Sequence, residues 1–244
     1  MPIRALIWDV DGTLAETEDE GHRPAFNLAF EEAGLPWRWD SPLYGELLAV
    51  TGGKERMLAY WRRVDPEAAA ASDAAALIRR LHERKTAHYL ALLDGGAVRL
   101  RPGVEAWIRA AHAQGLRQAI ATTTTPDNVT RLLDVTLGDE GHRFFEVVGA
   151  GDVVAAKKPA PDIYRWVLDR LGLAAADCLA VEDSAPGVAA ARAAGVPVWL
   201  VRSRYTGGAA LPGVVADLPS LDGVAPPFAA STATPALRPA HRVR

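Results

Sequence analysis

Between residues 104 and 201 the chain alternates short apolar runs with longer amphipathic ones, and this rhythm constrains its fold more than any other feature. Arg117 to Ala121, Phe145 to Ala150, Cys178 to Val181 and Pro197 to Val201 read as strands. Each is short and mostly apolar, as strands covered on both faces are. The segments between them, Val104 to Ala113, Asp127 to Leu133, Asp162 to Leu171 and Pro186 to Ala194, read as helices. Strands separated by such helices pair in parallel through right-handed crossovers. One more apolar strand, Ile3 to Val10, opens the chain and ends at an acidic loop.

Residues 16–94 break the rhythm. Helical stretches at Ala25 to Ala33, Lys54 to Arg63 and Ala74 to Leu93 carry interleaved charges, and no strand falls between them. Gly95-Gly96 closes the block. The expected architecture is α/β: a parallel-sheet core of residues 1–15 and 95–225, an inserted helical block at 16–94, and a disordered tail at 226–244, rich in Pro, Ala, Ser and Thr.

Composition excludes several classes. A hydrophobic fraction of 49% is enough for a sizeable core, so the chain is not disordered throughout. A net charge of −3 gives no reason to expect nucleic acid. No apolar run reaches the roughly 18 residues of a membrane helix, and Ala5 to Trp8 is too short for a signal-peptide core. Cys178, the single cysteine, has no internal partner for a disulfide, which fits a reducing compartment. We therefore expect a cytoplasmic monomer.

Asp9-Val10-Asp11-Gly12-Thr13 is the most informative stretch. Residues two apart in a strand face the same way, so Asp9 and Asp11 are expected to present two carboxylates at the sheet's carboxyl edge, where ligands of open α/β sheets bind. Two such groups can divide the work of nucleophile and proton donor. Three more loops follow apolar strands and belong at the same edge. Thr122 to Thr125 offers hydroxyls and backbone N–H groups at a helix start, to greet a phosphate or to cap the helix. Lys157-Lys158-Pro159 offers a lysine to neutralise a phosphate, to hold Asp9, or merely to sit exposed. Glu182-Asp183-Ser184 adds carboxylates that with Asp9 suit Mg²⁺, or caps the next helix.

Asp9-x-Asp11-Gly12-Thr13, Thr122, Lys158-Pro159 and Glu182-Asp183 stand in the order of the four motifs of the haloacid-dehalogenase-like phosphohydrolases, which this chain resembles through about residue 222. The resemblance implies a Rossmannoid core, a helical cap at the insertion, a nucleophilic aspartate and Mg²⁺. Glu16, Thr51-Gly52-Gly53-Lys54-Glu55-Arg56, Arg84-Lys85-Thr86 and Ala156 to Tyr164 are further similar to the CbbY-like phosphatases of the β-phosphoglucomutase branch. Those enzymes remove phosphate from xylulose 1,5-bisphosphate, a by-product related to the Rubisco substrate of the Calvin cycle.

The resemblance implies Asp9 as nucleophile and Asp11 as acid and base, with Thr122 and Lys158 on the transferring phosphate. Asp9, the Asp11 carbonyl and Asp183 would hold Mg²⁺, with Glu182 as a further ligand or a partner behind them. It implies a phosphosugar substrate held by Glu16, Tyr44, Gly52, Gly53, Lys54, Arg56, Lys85, Thr123 and Asn128. Lys54 and Lys85 are expected to take a distal phosphate. Trp37 and Trp39 are expected in the core of the helical block. The segment from Glu16 to His22 is one residue longer than the family pattern, and we expect His22 as a solvated histidine at a helix start. A sugar-phosphate mutase shares the same core; dehalogenation is disfavoured by Asp11, because a halide leaves without a proton.

Overall fold

The computed structural model describes residues 3–228. Six parallel strands form one sheet in the order β3-β2-β1-β4-β5-β6. They are β1 (Ala5–Trp8), β2 (Arg117–Ala121), β3 (Val147–Gly149), β4 (Cys178–Glu182), β5 (Val198–Val201) and β6 (Ala216–Leu218). Five of the six were expected. Sequence reading misses β6, three residues followed by Pro219 and too short to show alternation. β1 lies at the centre, between β2 and β4.

The pleat sorts the apolar residues into two cores. Leu6 and Trp8 of β1, Ile120 of β2, and Leu179 and Val181 of β4 pack on one face. Ala5, Ile7, Ala119, Ala121, Cys178 and Ala180 face the other way. On the first face lie α6 (Val104–Ala113) and α7 (Pro126–Leu137), named here for their place in the chain; on the second lie α8 (Asp162–Leu171) and α9 (Ala185–Ala193). Burial on both faces is what makes these strands continuous apolar runs.

Between β1 and α6 stands the helical block: α1 (Arg23–Glu32), α2 (Ser41–Leu47), α3 (Gly53–Val64), α4 (Pro66–Ala69) and α5 (Ala74–Asp94). It has its own apolar core of Phe26, Phe30, Trp39, Tyr44, Met57 and Trp61, against which Trp37 packs. Sequence reading misses α2, whose start is fixed by the Asp40 side chain accepting from Leu43 N and by Pro42 in the first turn. The block leaves the core at Ala15 and returns at Leu100, and these two residues pair. Buried Arg101 ties this crossing together, donating to the carbonyls of Gly12, Val201 and Arg202 and pairing with Glu16 at 3.0 Å.

Among the described residues no helix is long and apolar enough to cross a membrane. Within the tail expected from residue 226, the Phe228 ring instead packs edge-on against Trp107. Residues 229–244 lie outside the described ones.

Candidate active site

A cavity of about 220 Å³ opens where the block meets the carboxyl edge of the sheet, and Asp9, Asp11, Thr122, Thr123, Lys158 and Asp183 line it. All four acidic, threonine and lysine loops read from the sequence therefore converge. Asp9 continues β1, its N–H donating to Val181 O at 3.1 Å. The chain then turns sharply, with Leu14 N bonded to Val10 O. Gly12 takes φ +82°, and a Cβ there would stand 2.2 Å from Asp183 Oδ2. Only glycine meets both demands.

That turn alters the expected relation of the two aspartates. They share the cavity, but the turn rather than the strand pleat aims Asp11, and the two engage different partners. Asp9 Oδ1 accepts from Lys158 Nζ at 2.6 Å. Asp11 Oδ1 accepts from Thr17 Oγ1 at 2.6 Å and stands 2.8 Å from His22 Nε2. Burial pushes Asp9 up to about 7 against the pull of Lys158. Burial also works against ionised Asp11, but His22, Thr17 and Lys85 outweigh it and hold Asp11 at about 2.

Lys158 is buried, not exposed; its Nζ also donates to Glu182 Oε1 at 2.6 Å. Burial disfavours its charge, yet the two carboxylates raise its pKa. Glu182 is fully buried, takes a second bond from the Tyr164 hydroxyl, and leaves Oε2 without a partner. Asp183 is pushed up by burial and by Asp9, while Ser203 Oγ donates to its Oδ2 at 2.6 Å. Carboxylate oxygens of Asp9, Glu182 and Asp183 lie within 4.8 Å of one another. Lys158 offsets only part of that charge, and an all-oxygen donor set with one unpaired oxygen fits a hard divalent cation.

Two helix caps stand in the walls of the cleft, Ser184 at the first cavity and Thr125 at the second. Thr125 Oγ1 accepts from Asn128 N and caps α7, which leaves Thr122 and Thr123 facing the cleft. Ser184 caps α9. A phosphate between Thr122, Thr123 and Lys158 would sit beside the start of α7.

A second cavity adjoins the first and is lined by Gly52, Gly53, Arg56, Lys85, Thr123 and Asn128, together with Asp11, Glu18, His22 and His82. Buried Asn128 donates to Thr124 Oγ1, and its Oδ1 has no partner. Arg56 lines both cavities. Three expected contacts fall elsewhere. Glu16 is held away from both cavities by Arg101. Lys54 pairs with Asp152 at 2.5 Å, outside either lining. Tyr44 is fully buried behind the cleft, bonding Glu18 and, at 3.0 Å, Arg56.

His22 is the largest departure from expectation. It is buried, stacked on Tyr89 with ring centroids 4.0 Å apart, and its Nδ1 lies 2.7 Å from Lys85 Nζ. Burial pushes Lys85 down to about 8 although Asp11 and Glu18 act the other way. The segment read as one residue longer than the family pattern holds one π-helical turn, Glu18–His22. A π turn absorbs a single inserted residue without ending the helix. Glu18, Asp19 and His22 thereby take three different tasks, none of them legible in an acidic run.

A model of haloacid dehalogenase-like hydrolases matches residues 3–195. The chain belongs to that family. It is 48% identical over 226 residues to the CbbY protein of Cupriavidus necator, covering 93% of this chain and 89% of that one. Two crystal structures of CbbY from Rhodobacter sphaeroides each superpose with a TM-score of 0.82 at 41% identity, covering 90% of this chain and 95% of theirs. One is a complex with phosphate; the other is an aspartate-to-asparagine variant in complex with xylulose 1,5-bisphosphate. The sheet order and the convergent acidic loops agree with this membership, and the chain is a phosphatase.

Proposed function

We propose that this enzyme hydrolyses a sugar bisphosphate, xylulose 1,5-bisphosphate being the favoured substrate, through a phosphoryl group carried on Asp9. The observation that carries the reading is the Asp9–Lys158–Glu182 chain beside Asp183, on the floor of a cleft roofed by cationic side chains. Support for the substrate comes from the relative crystallised with xylulose 1,5-bisphosphate.

Asp9, Asp183 and the Asp11 carbonyl are the groups that would hold Mg²⁺, with Glu182 behind them. Magnesium bound there supplies positive charge that draws the phosphate and Asp9 together. The free oxygen of Asp9 attacks phosphorus in line with the sugar oxygen, which leaves as the P–O bond breaks. Lys158, Thr122 and Thr123 neutralise and orient the other phosphate oxygens, which is most of what phosphoryl transfer asks of a protein.

The leaving alkoxide takes a proton from Asp11. Because Asp11 rests ionised, that proton is drawn from His22 Nε2, 2.8 Å away, while Lys85 Nζ, 2.7 Å from Nδ1, passes a proton to the ring in its place. Asp11 then accepts a proton from the water that attacks the acyl phosphate, and phosphate departs. The second cavity, with Arg56, Lys85, His82 and the unpaired Asn128 oxygen, takes the sugar and its distal phosphate. The helical block acts as a cap that excludes water during the first transfer.

Rapid acid quench with xylulose 1,5-bisphosphate tests the chemistry. An acid-stable, hydroxylamine-labile phosphoryl group on the peptide containing Asp9, absent from Asp9→Asn, is the expected result. Steady turnover by Asp9→Asn would exclude covalent catalysis.

A further inference from the structure

The loop Ser203–Thr206, which follows β5, touches both sides of the cleft. On the core side, Ser203 Oγ donates to Asp183 Oδ2 at 2.6 Å and Thr206 Oγ1 donates to the Asp183 carbonyl at 2.5 Å. On the other side, the Tyr205 hydroxyl donates to Asp19 Oδ1 at 2.5 Å and lies 2.9 Å from Ser41 Oγ. Arg204 reaches Asp19 Oδ2 at 2.9 Å. Asp19 and Ser41 both belong to the helical block, on the π turn and on α2.

The block is shaped for this contact. The Tyr205 ring meets α2 at Gly45, where an added Cβ would come within 3.1 Å of it. It also packs edge-on against Tyr44, with centroids 5.9 Å apart. Within the loop, Ser203 N donates to Thr206 Oγ1 at 2.7 Å and Tyr205 N to Ser203 Oγ at 3.3 Å. The two hydroxyls that hold Asp183 are therefore bonded to the backbone that carries Tyr205. A shift of the tyrosine moves both.

We propose that Tyr205 is a positioning residue that couples the seating of the helical block to the orientation of the Asp183 carboxylate. With the block seated, the clasp on Asp19 fixes the loop, and the loop fixes Asp183 for a divalent cation. With the block lifted, Asp183 loses that support. By reciprocity, cation binding favours the seated block. The inference rests on the reading of Asp183 as a cation ligand.

Calorimetric titration of Mg²⁺ into the substrate-free enzyme tests it. Tyr205→Phe removes one hydroxyl and leaves the ring in its notch; Asp19→Asn alters the other end of the clasp, in the helical block. Neither residue is placed to touch the cation. Both variants, folded by circular dichroism, are expected to bind Mg²⁺ about fivefold more weakly or worse, the lower end of ordinary coupling between sites. Unchanged Mg²⁺ affinity in both, with a raised KM for the sugar bisphosphate, would overturn the coupling and leave a simple clasp. A loss in Tyr205→Phe alone would confine the effect to the loop and overturn it too. A wild-type enzyme that takes up no Mg²⁺ would instead overturn the reading of Asp183, and the inference with it.

Discussion

His22 Nε2 stands 2.8 Å from Asp11 Oδ1, so a residue of the helical block reaches the sheet-edge carboxylate that we propose as acid and base. The cleft is thus assembled from the sheet edge and the helical block, and on the proposed mechanism proton delivery requires the block to be seated.

His22→Asn keeps a donor near Asp11 but removes the titratable ring. Turnover of a sugar phosphate, whose alkoxide needs a proton, should fall by about 10²-fold or more. Hydrolysis of p-nitrophenyl phosphate, whose phenolate leaves unprotonated, should fall far less. Parallel kcat measurements on the two substrates decide this, and equal losses would remove His22 from proton delivery.

Lys158 lies between two buried carboxylates, and its side chain is 4% exposed. Lys158→Met should abolish activity and destabilise the fold by about 3 kcal/mol or more, since breaking a buried ion pair strands the remaining charges. Adding Glu182→Gln should restore part of the melting temperature and none of the turnover. Thermal denaturation of the single and double variants reads this out.

His82 beside the second cavity is pushed down from 6.5 to about 4 by burial and by Lys85 and Lys54. Between those values the unfolded chain binds a proton that the folded one refuses. Its contribution to stability is therefore complete above about pH 6.5 and lost as the pH falls towards 4. His82→Gln should flatten the dependence of melting temperature on pH across that window, and an unchanged slope would assign the loss to other groups.

By sequence Lys54 was favoured over Arg56 for the distal phosphate, but of the two only Arg56 lines the cavities. Arg56→Ala should cost roughly 10- to 150-fold in kcat/KM for the bisphosphate, the worth of one charge-assisted hydrogen bond. A small phosphate ester should be spared. Lys54→Ala, which breaks an exposed pair with Asp152, should change either substrate little. The reverse ranking would place the distal phosphate at Lys54.

The contrast between these two residues shows how far the sequence could be read. Strands β1, β2, β4 and β5 were legible because burial on both faces leaves them apolar, β3 as a short valine run at the sheet edge with Val148 exposed, and their order placed four loops at one edge. Asp9, Thr122, Lys158 and Asp183 were legible because each follows such a strand. The roof of the cleft was not, because it depends on contacts between segments far apart in the chain. Tyr205 reaches Asp19, Lys54 reaches Asp152, and Arg101 withdraws Glu16, and no local pattern encodes any of the three. His22 was obscured by a segment read as one residue longer than the family pattern, whose π turn only the folded helix reveals.

The central claim is that this cleft releases phosphate from a sugar bisphosphate under Mg²⁺. Phosphate release measured across a panel of sugar mono- and bisphosphates tests it most directly. The account predicts the highest kcat/KM for xylulose 1,5-bisphosphate, with one phosphate released per sugar and no turnover after chelation. Isomerised sugar phosphate without released phosphate, or a preference for monophosphates over every bisphosphate, would contradict it.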